Sequence, residues 1–352
     1  MRPQQDLPRG VNASFAGGYG PCRGKLYAAG GVKAALHHPP GMVQFVFQQT
    51  HYPFKITIMK SIQFADKTTG EDISIAYSDY GKGQPIVLIH GWPSSREMWE
   101  YQLEALVNAG FRVIKYDRRG FGNSSKPWTG YDYDSLAADL HELMEQLDLQ
   151  HTILVGFSMG GGEAVRYIAR YGQERIARIA LVSSIIPYML KTDNNPEGID
   201  KKVFEEMAEN IRKDRIAFLE DFGKNFFGAS LLNKPVSNAY LDYFRDLAAK
   251  ATQQATLSCA VSFSTTDFRN DIKKVTVPTL IVHGDSDKIV PFEASSKRTL
   301  AALPQAELIL YADGPHGIFY THRQQLNRDL INFCNGKKIQ QPAAAATAPL
   351  PF

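Results

Sequence analysis

The stretch His151-Thr152-Ile153-Leu154-Val155-Gly156-Phe157-Ser158-Met159-Gly160 decides how this chain is read. Residues 151–156 form a strand-sized apolar run, and a helical pattern begins near residue 160. A G-x-S-x-G pattern, Gly156 to Gly160, sits on the junction. By itself the pattern could be chance, or Ser158 a helix cap. Between a buried strand and a helix it reads as a nucleophile on a tight, strained turn, with its hydroxyl clear of the backbone. Small residues at 156 and 160 let the flanking elements come close. The helix start supplies free N–H groups and a partial positive charge beside a reacting carbonyl.

Outward from this point the pattern alternates. Strands are expected at 62–66, 72–79, 85–90, 111–116, 151–156, 177–183, 277–283 and 307–311. Helices are expected at about 95–108, 132–147, 160–172, 292–302 and 319–334, with a long, mostly helical stretch over 198–256. Leu136, Leu140, Leu143, Met144 and Leu147 keep helical spacing, while Pro85–His90 is the continuous apolar run of a strand buried on both faces. Repeated β-α-β units imply an α/β domain with a mostly parallel, doubly wound sheet. In such sheets chemistry collects beyond the carboxyl ends of the strands.

A serine nucleophile needs a base and an acid to orient it. After Ser158 the histidines are His283, His316 and His322. His283 ends an apolar strand and reads as structural; His322 falls in an expected helix. His316 lies in Asp313-Gly-Pro-His-Gly317, a loop stiffened by Gly and Pro, and is the expected base. Asp285 and Asp287 both follow strand 277–283, and the residues alone do not choose between them. Glu163, one turn into the elbow helix, reads as a structural hydrogen-bonding group, and Asp117 as a turn organiser. Met159, next after the nucleophile, offers one backbone N–H to an oxyanion.

Composition narrows the rest. The 352 residues are 44% apolar and 21% charged, which excludes wholesale disorder, a collagen-like repeat and a coiled coil. No run of 18 apolar residues exists, so no membrane helix is expected. Residues 1–58 hold six bases and one acid; the remaining 33 bases and 35 acids leave the body nearly neutral, without a basic stripe for nucleic acid. Three cysteines, Cys22, Cys259 and Cys334, are odd in number and far apart, which fits a reducing, cytoplasmic setting. No metal-ligand cluster appears, so neither metal nor cofactor is expected. A homo-oligomer is compatible with the sequence.

Residues 1–58 contain 8 Gly and 6 Pro with no sustained period and read as a disordered extension, with Met59 a plausible start; their basic, acid-poor balance also suits a transit peptide. Residues 337–352 read as a disordered tail. One domain over 59–336 remains, with a helical lid inserted at about 186–270. There Phe222, Phe226, Phe227, Phe263 and Phe268 could wall a small apolar site.

Five segments together resemble the cofactor-free (non-heme) haloperoxidases, serine-triad enzymes of the α/β-hydrolase fold also described as aryl esterases and perhydrolases. They are Leu88-Ile-His-Gly-Trp-Pro93, Asp117-Arg-Arg-Gly-Phe-Gly122, Gly156-Phe-Ser-Met-Gly-Gly-Gly-Glu163, His283-Gly-Asp-Ser-Asp287 and Ala312-Asp-Gly-Pro-His-Gly317. The resemblance spans about 59–336 and implies the triad Ser158, Asp287 and His316, selecting the second Asp of the H-G-D-x-D turn. It also points to Trp92 N–H as the second oxyanion donor, with Pro93 restricting the Trp92 backbone. Trp92, Phe157, Phe227 and Phe263 are the substrate-binding candidates. Ser94-Ser95 departs from the family, which often carries a larger apolar residue there. Serine rather than aspartate at the elbow implies an acyl-enzyme, unlike the dehalogenases and epoxide hydrolases of this fold. The expected reaction is hydrolysis of small esters, with hydrogen peroxide and halide as further partners. The alternatives are a lactonase or C–C bond hydrolase with the same triad, a slow-turnover sensor, or a metal-dependent peroxidase.

Overall fold

The computed structural model describes residues 60–337. The expectations for residues 1–58, for Met59 and for the tail beyond Lys337 lie outside them. Strands β1 (Lys60–Ala65), β2 (Asp72–Tyr80) and β3 (Pro85–Ile89) come first. A 3-10 turn at Arg96–Trp99 leads into α1 (Glu100–Asn108), then β4 (Arg112–Tyr116) and α2 (Tyr133–Gln146). Strand β5 (Thr152–Phe157), helix α3 (Met159–Tyr171) and strand β6 (Ile176–Val182) follow. The insertion holds α4 (Lys201–Lys213), α5 (Arg215–Phe226), α6 (Asn238–Ala249) and α7 (Gln253–Thr265). The domain closes with β7 (Thr279–Gly284), α8 (Ser296–Ala302), β8 (Glu307–Tyr311), α9 (Ile318–Thr321) and α10 (Arg323–Cys334).

The strands make one eight-stranded sheet in the order β1-β2-β4-β3-β5-β6-β7-β8. Only β1–β2 and β2–β4 pair antiparallel; every later pair is parallel. From β3 the chain goes to β4 on one side and returns to β5 on the other. The crevice between the ends of β3 and β5 is therefore the switch point, where ligands bind in open α/β sheets. Strand β5 is buried at all six positions, as its unbroken apolar run requires.

Helix α2 buries Leu136, Leu140, Leu143 and Met144 on one face, and Asp132 caps it by accepting from Ser135 N. Each insertion helix also starts on a side-chain cap: Asp200, Asp214, Ser237 and Thr252. A cap is worth about 1 kcal/mol, so each helix has a local reason to begin where it does. Three expected helices are divided. The span 95–108 opens with the 3-10 turn at Arg96–Trp99 before α1. A 3-10 turn at Phe292–Ala294 precedes α8, and the span 319–334 is interrupted at His322. Among the described residues no helix is long and apolar enough to cross a membrane.

Candidate active site

Ser158 stands between β5 and α3 with φ +52° and ψ −118°, a left-handed backbone that a non-glycine residue adopts only under constraint. Its side chain makes no capping hydrogen bond, which removes the helix-cap reading. The constraint comes from close packing. A Cβ on Gly160 would lie 2.5 Å from Ile89 O, and one on Gly91 would lie 2.6 Å from the Phe157 ring. Only glycine lets α3 and the loop after β3 approach the elbow this closely.

His316, on the loop between β8 and α9, sets Nε2 3.0 Å from Ser158 Oγ. Its Nδ1 lies 2.7 Å from Asp287 Oδ2, beyond the end of β7. Carboxylate, imidazole and hydroxyl thus form one buried chain. Asp287 Oδ1 accepts from the N–H groups of Ile289 (2.9 Å) and Val290 (2.8 Å). Burial acts to raise the Asp287 carboxyl. The His316 charge and the hydrogen bonds from His283 and His316 outweigh it and hold the group well below the ordinary carboxylate range. Asp285, the competing acid, is exposed and meets Ser286 Oγ instead. His322 sits between α9 and α10, bonded to Thr321 Oγ1 and Ala312 O.

Glu163 and Asp117 hold structure. Glu163 accepts from Tyr116 Oη and from Arg118 Nε at 2.7 Å. Arg118 also reaches His90 O at 2.7 Å, while its backbone N–H donates to His90 Nε2 at 3.0 Å. Burial, reinforced by the Arg118 charge, holds the His90 ring well below its usual range, so it is neutral. Asp117 accepts from Arg96 N, the Arg96 guanidinium and Asn123 N, which organises the turn after β4.

The loop after β3 carries Trp92, joined to Pro93 by a cis peptide. Its indole N–H donates to Thr256 O on α7 at 3.0 Å, a bond between loop and lid that no sequence pattern signals. The Trp92 ring meets Phe222 at 5.2 Å and Phe263 at 5.3 Å. Among the described residues neither Trp92 N–H nor Met159 N–H donates a backbone hydrogen bond; the latter is the first amide of α3. The candidate Phe157 packs on His316 with centroids 4.9 Å apart. Phe227 is fully buried against Tyr240, Phe244 and Phe319, and Phe226 stands 4.7 Å from His316. Phe226 ends α5 and Phe227 caps it, so helical spacing could not say which faces inward. Phe268 packs on Tyr133 with centroids 4.7 Å apart. An open depression of about 560 Å³ lies elsewhere, at the amino ends of the strands beside Gln84 and Ile176.

The alpha/beta hydrolase fold family matches residues 84–323. The chain belongs to the α/β-hydrolase family. It is similar to the non-heme chloroperoxidase CPO-A1 of Kitasatospora aureofaciens, 41% identical over 76% of this chain and 98% of that one. It is 37% identical to the bifunctional esterase/perhydrolase DCH of Acinetobacter calcoaceticus, over 76% of this chain and 98% of the other. The crystal structure of a bromoperoxidase from Bacillus anthracis superposes with a TM-score of 0.75 at 48% identity, covering 78% of this chain and all of that one. This α/β-hydrolase is therefore an enzyme, and its relatives carry both esterase and haloperoxidase names.

Proposed function

We propose that this enzyme hydrolyses small carboxylic esters through an acyl-enzyme on Ser158, and that hydrogen peroxide can replace water in the second half-reaction. The observation that carries the reading is the chain Ser158 Oγ–His316–Asp287, at 3.0 and 2.7 Å, beneath an aromatic lid. His316 Nε2 takes the Ser158 proton as Oγ bonds to the ester carbon. The carbonyl electrons move onto oxygen, facing the Met159 and Trp92 N–H groups. The C–O bond to the leaving group then breaks, and His316 returns its proton to the departing alkoxide. Asp287 keeps the imidazole in the tautomer that presents Nε2 to serine. Water or hydrogen peroxide next attacks the acyl carbon, giving its proton to His316. Release of acid or peracid restores the serine hydroxyl.

A peracid can transfer its terminal oxygen to bromide in solution, leaving carboxylate and hypobromous acid. Halogenation then needs no halide site and no cofactor. The relatives named chloroperoxidase and esterase/perhydrolase support this branch. The aromatic wall of Trp92, Phe222, Phe226 and Phe263 supports a small apolar acyl group. Both described cysteines are buried and unpaired, which supports a reducing compartment.

The test is steady-state hydrolysis of p-nitrophenyl acetate by wild type and Ser158→Ala, repeated with peroxide and bromide. Loss of at least about 10³-fold in both hydrolysis and acetate-dependent bromination is expected for the variant. Unchanged hydrolysis by Ser158→Ala would overturn the reading.

A further inference from the structure

Asp287 is held by two histidines. His283, the penultimate residue of β7, is fully buried, with Nε2 2.8 Å from Val290 O and 3.3 Å from Asp287 Oδ2. Its Nδ1 is 2.7 Å from Ser296 Oγ, at the start of α8. In the neutral ring these contacts fix the tautomer. A backbone carbonyl only accepts, so Nε2 carries the hydrogen. Nδ1 is then the acceptor, and Ser296 Oγ donates to it. The Nε2–H group is shared between Val290 O and Asp287 Oδ2.

The arrangement closes on itself. Val290 N–H donates to Asp287 Oδ1, while Val290 O receives His283 Nε2–H. Asp287 Oδ2 receives His316 Nδ1 on one side and His283 on the other. Two donors meet each carboxylate oxygen, so the acid has neither a free lone pair nor freedom to rotate. Remove His283 and Oδ2 keeps only the His316 hydrogen bond. Oδ1 would still accept from the Ile289 and Val290 N–H groups, but no second donor described would hold Oδ2 in line with His316 Nδ1.

We propose that His283 is a positioning residue of the reaction: it acts through Asp287, fixing Oδ2 on the His316 Nδ1–H, with Ser296 setting the ring's tautomer. The inference rests on the triad reading above. A purely structural His283, satisfying Val290 O alone, would act independently of Asp287. The two roles therefore differ in a double-mutant cycle.

The experiment measures kcat and KM for p-nitrophenyl acetate in His283→Leu, His283→Gln and Ser296→Ala, with urea midpoints beside them. Asp287→Asn and the double variant His283→Leu/Asp287→Asn are measured at high enzyme concentration. His283→Leu is expected to lower kcat about 10- to 100-fold, the effect of losing a hydrogen bond to a charged acceptor, with KM within about threefold. His283→Gln, whose amide can donate to both acceptors, should stay within about fivefold of wild type. In the Asp287→Asn background, His283→Leu should cost less than about twofold more, because its route of action is already cut. Equal losses in both backgrounds would make His283 independent of the acid and overturn the proposal, as would wild-type kcat in folded His283→Leu. Should His283→Leu not fold, Ser296→Ala decides: a fall in kcat at unchanged KM supports the proposal, and wild-type kcat overturns it. Wild-type turnover in Asp287→Asn would sink the triad reading and this inference together. A collapse in Asp287→Asn with none in His283→Leu would sink this inference alone.

Discussion

Two buried polar assemblies stand at the carboxyl ends of neighbouring strands, and each contains a histidine and an acid. One joins His90, Arg118, Glu163 and Tyr116 beneath the elbow helix. The other joins Ser158, His316, Asp287 and His283. In the first, both His90 nitrogens are spent on backbone, Nδ1 on Gly91 O and Nε2 on Arg118 N–H. No proton there has anywhere to go. In the second, the His316 nitrogens meet only side chains, a carboxylate and a hydroxyl, so a proton can move along the line. Ser158 ends this line, with its hydroxyl bonded to His316 Nε2. Burial and charge alone do not mark a catalytic site. What the partners of the imidazole can give or accept does.

The comparison implies opposite mutational signatures. Glu163→Gln leaves the Arg118 guanidinium buried without its counter-charge, which costs about 3–5 kcal/mol. Ser158→Ala removes one strained hydroxyl and should change stability by less than about 1 kcal/mol while abolishing turnover. Urea denaturation of both variants checks this, and a Glu163→Gln midpoint equal to wild type would break the contrast. Next in size is Trp92→Phe. It keeps the aromatic contacts to Phe222 and Phe263 but leaves Thr256 O without its donor, at about 1–3 kcal/mol. Because that bond joins the lid to the loop carrying the proposed oxyanion donor, kcat/KM should fall about tenfold. A change in the urea midpoint alone would show that the lid is only packed on the loop.

The smallest effect is in pH. The folded Asp287 carboxyl lies below its unfolded value of about 4, so its stabilisation is complete above that pH and is lost as the pH falls toward the folded value. The gap in unfolding free energy between wild type and Asp287→Asn should therefore be widest near pH 6 and narrow below about pH 4. A gap that does not change with pH would mean that Asp287 is not held as an anion by its histidines.

Much of this was legible in the sequence, for identifiable reasons. The strands follow from apolar runs alternating with helical patterns, and β5 could be found because a strand buried on both faces has no polar positions. Ser158 and His316 were legible from the residues around them, since glycine and proline declare a turn that must be rigid. Which carboxylate meets His316 was legible only by resemblance. Asp285 and Asp287 differ by two places on one loop, and what separates them is that the turn exposes the first and buries the second. Phe226 and Phe227 could not be ranked for a similar reason, because neighbours at a helix end diverge in direction while looking alike in sequence. His283 reads as a strand-end histidine, and no local pattern says that the H-G-D-S-D turn folds back until its fifth residue meets its first.

The central claim is that Ser158 carries the acyl group in both hydrolysis and perhydrolysis. Acid quenching of the enzyme with p-nitrophenyl acetate, followed by peptide mass mapping, tests it directly. The expected result is an acetyl adduct confined to the peptide containing Ser158, absent from Ser158→Ala, whose steady-state occupancy falls when hydrogen peroxide is added as peracetic acid appears. Peracid formation with no adduct on Ser158, or an adduct on that peptide whose occupancy does not respond to peroxide, would contradict a shared acyl-enzyme.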